Sequence, residues 1–232
     1  MERLNLFEKF CRDNPYDFSE EEFEKIRKDI VSPRKGVVYD EYVDFNLWTR
    51  GLKSRQEYFA DYISEKLPVE KYRKILEVGC GKHPRVSKML AEKGYRMTSM
   101  DTVISCEYLV VKKDFCSDNC ENIDKDEKAI GVEFLKEGFD YKETDISEYD
   151  AIIAQEPCDA TEHIVRACVE KKKDFIMALC AAAHKLINGG EPKDVREWYD
   201  YLQQIGGDNC VIIDSNMVPG YICPVMKGFF SI

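Results

Sequence analysis

No apolar stretch in this 232-residue chain approaches the roughly 20 residues needed to cross a bilayer, and the longest, near Phe175 to Ala183, is strand-sized. The opening Met1-Glu2-Arg3-Leu4-Asn5 has no signal-peptide core, so a cytoplasmic location is expected, with no membrane partner. Basic charge is in deficit, 34 Lys and Arg against 44 Asp and Glu, and a net charge of −10 argues against broad capture of phosphate backbones. Nucleic acid is therefore not an expected partner, and a small molecule is. Ten cysteines are present, but without a secretory signal a disulfide framework is not expected. Cys80, Cys168, Cys180 and Cys210 fall inside apolar elements, where a thiol behaves as a small hydrophobe. Cys116 and Cys120 form a C-x₃-C pair with no second pair at finger-like spacing, so no metal is expected.

What the chain does have is Lys74-Ile75-Leu76-Glu77-Val78-Gly79-Cys80-Gly81, followed by Lys82-His83-Pro84 and a helical pattern through Lys93. An apolar strand ends in an acid, turns on two glycines and opens a helix. Glycines at such a turn let the backbone approach a ligand that any Cβ would meet. The helix start supplies N–H groups and a positive dipole end. Asp101 ends the next apolar stretch, Tyr95 to Met100, where doubly wound proteins place an acid on ribose hydroxyls. A dinucleotide fingerprint needs a third glycine, and Pro84 stands in that region instead, which disfavours a nicotinamide cofactor.

Glu77-Val78-Gly79-Cys80-Gly81 with Asp101 resembles the first cofactor motif and ribose acid of the class I S-adenosylmethionine-dependent methyltransferases. The resemblance extends loosely over residues 50 to 232. It implies an α/β fold: a doubly wound, seven-stranded, mostly parallel sheet with an antiparallel last strand. It implies S-adenosyl-L-methionine as cofactor, held by Glu77, Gly79, Cys80, Gly81, Asp101, Thr102, Asp114, Phe115 and Gln155. It also implies a helical N-terminal cap over residues 1–66, ahead of a cofactor domain over 67–232.

Helix and strand signals are consistent with that frame. Ser19-Glu20-Glu21-Glu22 opens a helix with a cap and acids in its first turn, carrying Phe23 and Ile26 on its core stripe. A second helix, near Lys53 to Lys66, puts Tyr58, Phe59, Tyr62 and Ile63 on one face. Aromatic and basic residues of the cap, Tyr39, Tyr42, Trp48 and Arg50, are its plausible acceptor contacts. Strands are expected at 73–78, 96–100, 108–113, 150–155, 174–180, 210–214 and 221–227, and helices at 161–171 and 192–204. Pro224 is easiest to accommodate on an edge strand. The third strand has two assignments. Tyr108 to Lys113 would set Asp114 and Phe115 beside the adenine, with helical character around Asp124 to Lys136; the rival, 139–144, would give that role to Asp145.

In this fold the acceptor meets the methyl group at the carboxyl end of the fourth strand, here Gln155-Glu156-Pro157-Cys158-Asp159. The Asp/Asn-Pro-Pro-aromatic motif of amino-methylating relatives is missing, and Pro157-Cys158 matches only a dipeptide of the cytosine-C5 enzymes, so a packed thiol is the preferred reading of Cys158. Glu156 is the candidate general base or cation-binding group, and His163, one turn into the next helix, is the second catalytic candidate. His184, like His163, falls on the ligand-facing edge, and His83 stands at the turn entering the first helix, placed either to touch cofactor or to cap. The function expected is methyl transfer to a small molecule. The alternative is a non-catalytic S-adenosylmethionine-binding protein with a regulatory or assembly role.

Overall fold

A computed structural model describes residues 2–13, 24, 27–28, 40–104 and 131–230. The chain divides into two compact units, Met1–Tyr58 and Phe59–Ile232. Among the described residues no helix is long and apolar enough to cross a membrane.

The first unit is built on helices α1 (Glu2–Asp13) and α2 (Asp40–Thr49). Their contact is aromatic. Phe7 meets Phe45 edge-on at 5.3 Å between ring centroids, and Phe10 lies 5.7 Å from Trp48. Trp48 thus packs against Phe10 and Phe45, with Lys9 over its ring. Tyr39 and the helix expected from Ser19, with Phe23 and Ile26, lie outside the described residues, as does the side chain of Tyr42. Helix α3 (Arg55–Lys66) starts on a reciprocal capping box. Ser54 N donates to Glu57 Oε2 at 2.8 Å and Glu57 N donates to Ser54 Oγ at 3.2 Å, which satisfies two orphan donors at once. The buried Asp44 adds a third tie by accepting from Arg55 N at 3.1 Å.

The second unit carries a seven-stranded sheet of β1 (Lys74–Val78), β2 (Arg96–Met100), β3 (Val132–Leu135), β4 (Ala151–Gln155), β5 (Asp174–Ala178), β6 (Cys210–Ser215) and β7 (Cys223–Gly228). The order is β3-β2-β1-β4-β5-β7-β6. The first five strands run parallel, while β7 is antiparallel to both β5 and β6. Parallel neighbours need crossovers, which α4 (Arg85–Glu92) and α5 (Ala160–Lys171) supply; α6 (Val195–Gly206) leads into β6. Alternate side chains of each strand feed opposite faces. Ile75, Met97, Ile153 and Ile176 pack on one side with Phe59, Ile63, Val86 and Leu90 of α3 and α4. Leu76, Ile152, Phe175 and Met177 pack on the other with Ile164, Val165, Trp198 and Leu202 of α5 and α6. Each fully buried Ile, Leu or Phe of these layers contributes about 1.5–3 kcal/mol.

The doubly wound sheet with antiparallel β7 is the fold that the class I methyltransferase resemblance implied. Three local expectations are corrected. Among the described residues the strand beside β2 is Val132–Leu135, with Met97 opposite Val132 and Met100 opposite Leu135. The segment 108–113, with Asp114 and Phe115, lies outside the described residues. The rival at 139–144 is a turn, held by Asp140 Oδ1 accepting from Lys142 N and by Thr144 N donating to Asp140 O. The helical character expected near Asp124 to Lys136 gives way to β3 at its described end. Four half-exposed residues flanked by charge carry too short a period to announce a strand. Pro224 is not on an edge: β7 runs between β5 and β6. It is tolerated near the start of the strand, before the pairing with β5 begins at Val225.

Candidate functional site

The strand-to-helix turn after β1 is held open by its backbone. Gly79 has φ +72 and Gly81 φ +71, a region side chains with a Cβ enter at a cost. Gly79 N donates to Met100 O at 2.9 Å, which locks the turn to the end of β2. A Cβ on Gly79 would come within 2.9 Å of Pro157, whereas at Gly81 nothing among the described residues stands within 4 Å. The first glycine is required by close packing; the second is left clear by the described residues.

Asp101 lies just past the end of β2. Its Oδ2 accepts from Gly81 N at 2.9 Å and its Oδ1 from Val103 N at 3.0 Å. The carboxylate therefore ties both loops together, and each oxygen keeps a further lone pair for a ligand hydroxyl.

Glu77 is buried inside the turn and grips the first turn of α4. Its Oε2 accepts from Ser87 N at 3.1 Å, from the Ser87 hydroxyl and from the Ser99 hydroxyl at 3.4 Å. Burial pushes its pKa up from 4.5 to about 7, against the opposing pull of the Ser87 and Ser99 hydrogen bonds. A raised carboxyl stabilises the fold fully below the unfolded value and loses that contribution as pH rises through the folded one. Between pH 4.5 and about 7 the folded chain holds a proton that the unfolded chain releases. At 1.36 kcal/mol per pH unit the loss is roughly 3 kcal/mol. Denaturant titrations of wild type and Glu77→Gln across this window should show the decline in the first and not in the second; equal slopes would contradict the assignment.

Gly79, Gly81 and Asp101 border a cleft of about 530 Å³ at the carboxyl ends of β1, β2 and β4, while the buried Glu77 lies behind its wall. That volume lies within the usual range for small-molecule sites. The wall brings together Gly79, Gly81, Asp101 and Thr102 with Glu156 and His163. Its remaining side comes from Glu137-Gly138-Phe139, directly after β3. None of these three was expected to line a site, because they follow a strand that the pattern hid. Asp145 is elsewhere: it precedes β4 at the opposite end of the sheet, exposed, accepting from Ser147 N at 2.9 Å. That hydrogen bond holds its carboxyl below the usual range. It does not line the cleft.

Gln155 ends β4 opposite Ala178, next to the wall rather than in it. Cys80 is also outside the wall, with Sγ donating weakly to Gly81 O at 3.4 Å. Burial, then the charges of Glu77 and Asp101, drive its thiol pKa strongly upward, so it stays protonated. His163 accepts from Tyr141 N through Nδ1 at 3.3 Å, with Asp140 Oδ2 3.7 Å away. A neutral ring so engaged carries its proton on Nε2 and offers a donor rather than a base.

Glu156 and Cys158 both have positive φ, 53 and 49, on either side of Pro157. Non-glycine residues held there cost of order 1–3 kcal/mol each and persist where the surroundings over-determine them. Cys158 is exposed, not the packed thiol expected from the sequence. Among the described residues the wall carries four carboxylates, Asp101, Glu137, Glu156 and Asp159, against one histidine. Such a field favours a cationic or neutral ligand over a polyanion.

Strand order, the glycine turn after β1 and the acid after β2 together define a Rossmann-like fold of the class I methyltransferase type. No family model matches the chain, and no curated protein matches it. Among solved structures the chain is similar to the bifunctional kinase-methyltransferase WbdD, at 16% identity and a TM-score of 0.46 over 78% of this chain and 41% of that one. It thus spans about two fifths of WbdD. A TehB-like S-adenosylmethionine-dependent methyltransferase from Corynebacterium glutamicum aligns at 14% identity and a TM-score of 0.42, covering 80% of this chain and 93% of that one. The tRNA (uracil-54, C5)-methyltransferase of Pyrococcus abyssi, solved with S-adenosyl-L-homocysteine, aligns at 15% identity and 0.44, covering 75% and 38%.

Proposed function

We propose that the cleft binds S-adenosyl-L-methionine and that the chain transfers its methyl group to a neutral or cationic small molecule. The observation that carries this reading is how the turn is occupied. A dinucleotide would lay its pyrophosphate on the first-turn N–H groups of α4. Here Ser87 N is already taken by the buried Glu77, and the wall is acidic. Phosphates are unwelcome there. A cofactor with a cationic sulfonium and ammonium suits the same field.

The residues present fit that cofactor. Gly81 leaves open the space a Cβ would fill, and Asp101 offers lone pairs beside it for ribose hydroxyls. Glu137 to Phe139 line the flank that an adenine would take. When bound, the cofactor supplies an electrophilic methyl group on sulfur. The protein's part is to orient the acceptor for in-line displacement. Glu156, on the wall after β4, takes the acceptor's proton or balances its charge, and His163 donates from Nε2.

The test is turnover with methyl-labelled S-adenosylmethionine against a panel of neutral and cationic small molecules. Labelled product should appear together with S-adenosylhomocysteine. With the acceptor so found, Glu156→Gln should lower kcat by about 10²–10⁴-fold and leave S-adenosylhomocysteine affinity unchanged. Tight cofactor binding with no turnover across the panel would favour the non-catalytic alternative.

A further inference from the structure

At the carboxyl ends of β4 and β5 a second group of side chains converges beside the cleft: Cys158, Cys180 and His184. Their donor atoms all lie within 4.8 Å of one another. Cys158 Sγ stands 3.8 Å from Cys180 Sγ. Two thiolates about 2.3 Å from one tetrahedral ion are separated by about 3.8 Å. A disulfide requires about 2.05 Å. The two sulfurs are spaced to share an ion rather than a bond.

The imidazole supports the same conclusion independently. His184 Nε2 is buried and has no hydrogen-bond partner among the described residues, although the ring is packed edge-on against Trp198. Buried polar nitrogens are rarely left so. Its Nδ1 lies 3.5 Å from Asp159 Oδ1. A carboxylate on one ring nitrogen, with the other directed to a metal, is how proteins fix the tautomer of a ligating histidine. The backbone contributes too: Cys158 is held at φ 49.

We propose that Cys158, Cys180 and His184 bind a zinc-class divalent transition-metal ion, with Asp159 orienting His184 and the fourth position open to solvent or substrate. Two thiolates and an imidazole select borderline-soft ions, whereas magnesium and calcium require oxygen ligands. Cys158 belongs both to this cluster and to the cleft wall, so the ion stands at the margin of the cleft. The site rests on these side chains alone and does not depend on which cofactor the glycine turn holds.

The whole chain, kept reduced with a phosphine so that no added thiol competes, is titrated with Co²⁺ as a spectroscopic stand-in for Zn²⁺. Saturation at a single equivalent is expected, with sulfur-to-cobalt charge transfer in the near ultraviolet and tetrahedral ligand-field bands in the visible, all lost on adding Zn²⁺. Cys158→Ser, Cys180→Ser and His184→Gln should each abolish the charge-transfer and tetrahedral signature. Asp159→Asn should keep the signature and weaken affinity by about 10- to 100-fold. Cys223→Ser should behave as wild type. Metal-free circular dichroism melts identify the variants that fold, and Cys158→Ser alters only an exposed side chain, so that arm is decisive by itself. A fully reduced wild type that binds no stoichiometric cobalt, or an undiminished signature in folded Cys158→Ser, overturns the site. Failure of S-adenosylmethionine binding with the cobalt signature intact would instead count against the cofactor reading.

Discussion

Replacing Asp101 by alanine is expected to weaken S-adenosylhomocysteine binding by about 2–4 kcal/mol. Charge-assisted hydrogen bonds to ligand hydroxyls are worth roughly 1.5–3 kcal/mol each and add incompletely. The carboxylate also accepts from Gly81 N and Val103 N, so its loss frees the turn that shapes the cleft. Asp101→Asn keeps an acceptor and the side-chain volume while removing the charge, and should fall between alanine and wild type. Because the residue lies past the end of β2 and is only half-buried, both variants should fold. Calorimetric titration measures the effect directly. An Asp101→Ala protein that folds normally and binds with wild-type affinity would remove the ribose-side assignment.

The second large effect is expected at the two glycines, and it separates packing from ligand space. At Gly79 an alanine meets Pro157 at 2.9 Å as well as an unfavourable φ, so strain of about 1–3 kcal/mol is joined by an overpacking cost of about 1–3 kcal/mol. At Gly81 only the strain applies to the free protein, because nothing among the described residues stands within 4 Å. Both variants should lose cofactor binding, yet Gly79→Ala should be the less stable by about 1–3 kcal/mol in denaturant titrations. Equal stabilities, or tight binding by Gly81→Ala, would contradict the close backbone approach.

Much of this site was legible in the sequence because it is dictated by backbone. A strand, two glycines needing positive φ, a helix start and an acid at the end of the next strand have fixed spacings, and Glu77, Gly79, Gly81 and Asp101 meet as that pattern requires. Even so, the role of Glu77 emerged only with Ser87 in place: it holds the start of α4. The side of the cleft after β3 was not legible. Val132–Leu135 is a four-residue, half-exposed edge strand, and the wall residues Glu137 to Phe139 depend on it. The cysteine–histidine cluster was hidden for another reason. Cys158 and Cys180 are far apart in sequence and carry no finger-like spacing; they meet because Gln155 pairs with Ala178 across β4 and β5. Topology, not local pattern, sets that distance.

The central claim is that the cleft takes S-adenosylmethionine rather than a dinucleotide. Calorimetric titration of the 232-residue chain with S-adenosylmethionine, S-adenosylhomocysteine and NAD tests it most directly. Saturable, equimolar binding of both sulfur compounds is expected, with no heat of binding from NAD, whose pyrophosphate would face the Glu77-occupied helix start and four wall carboxylates. Saturable binding of NAD together with silence from both sulfur compounds would contradict it.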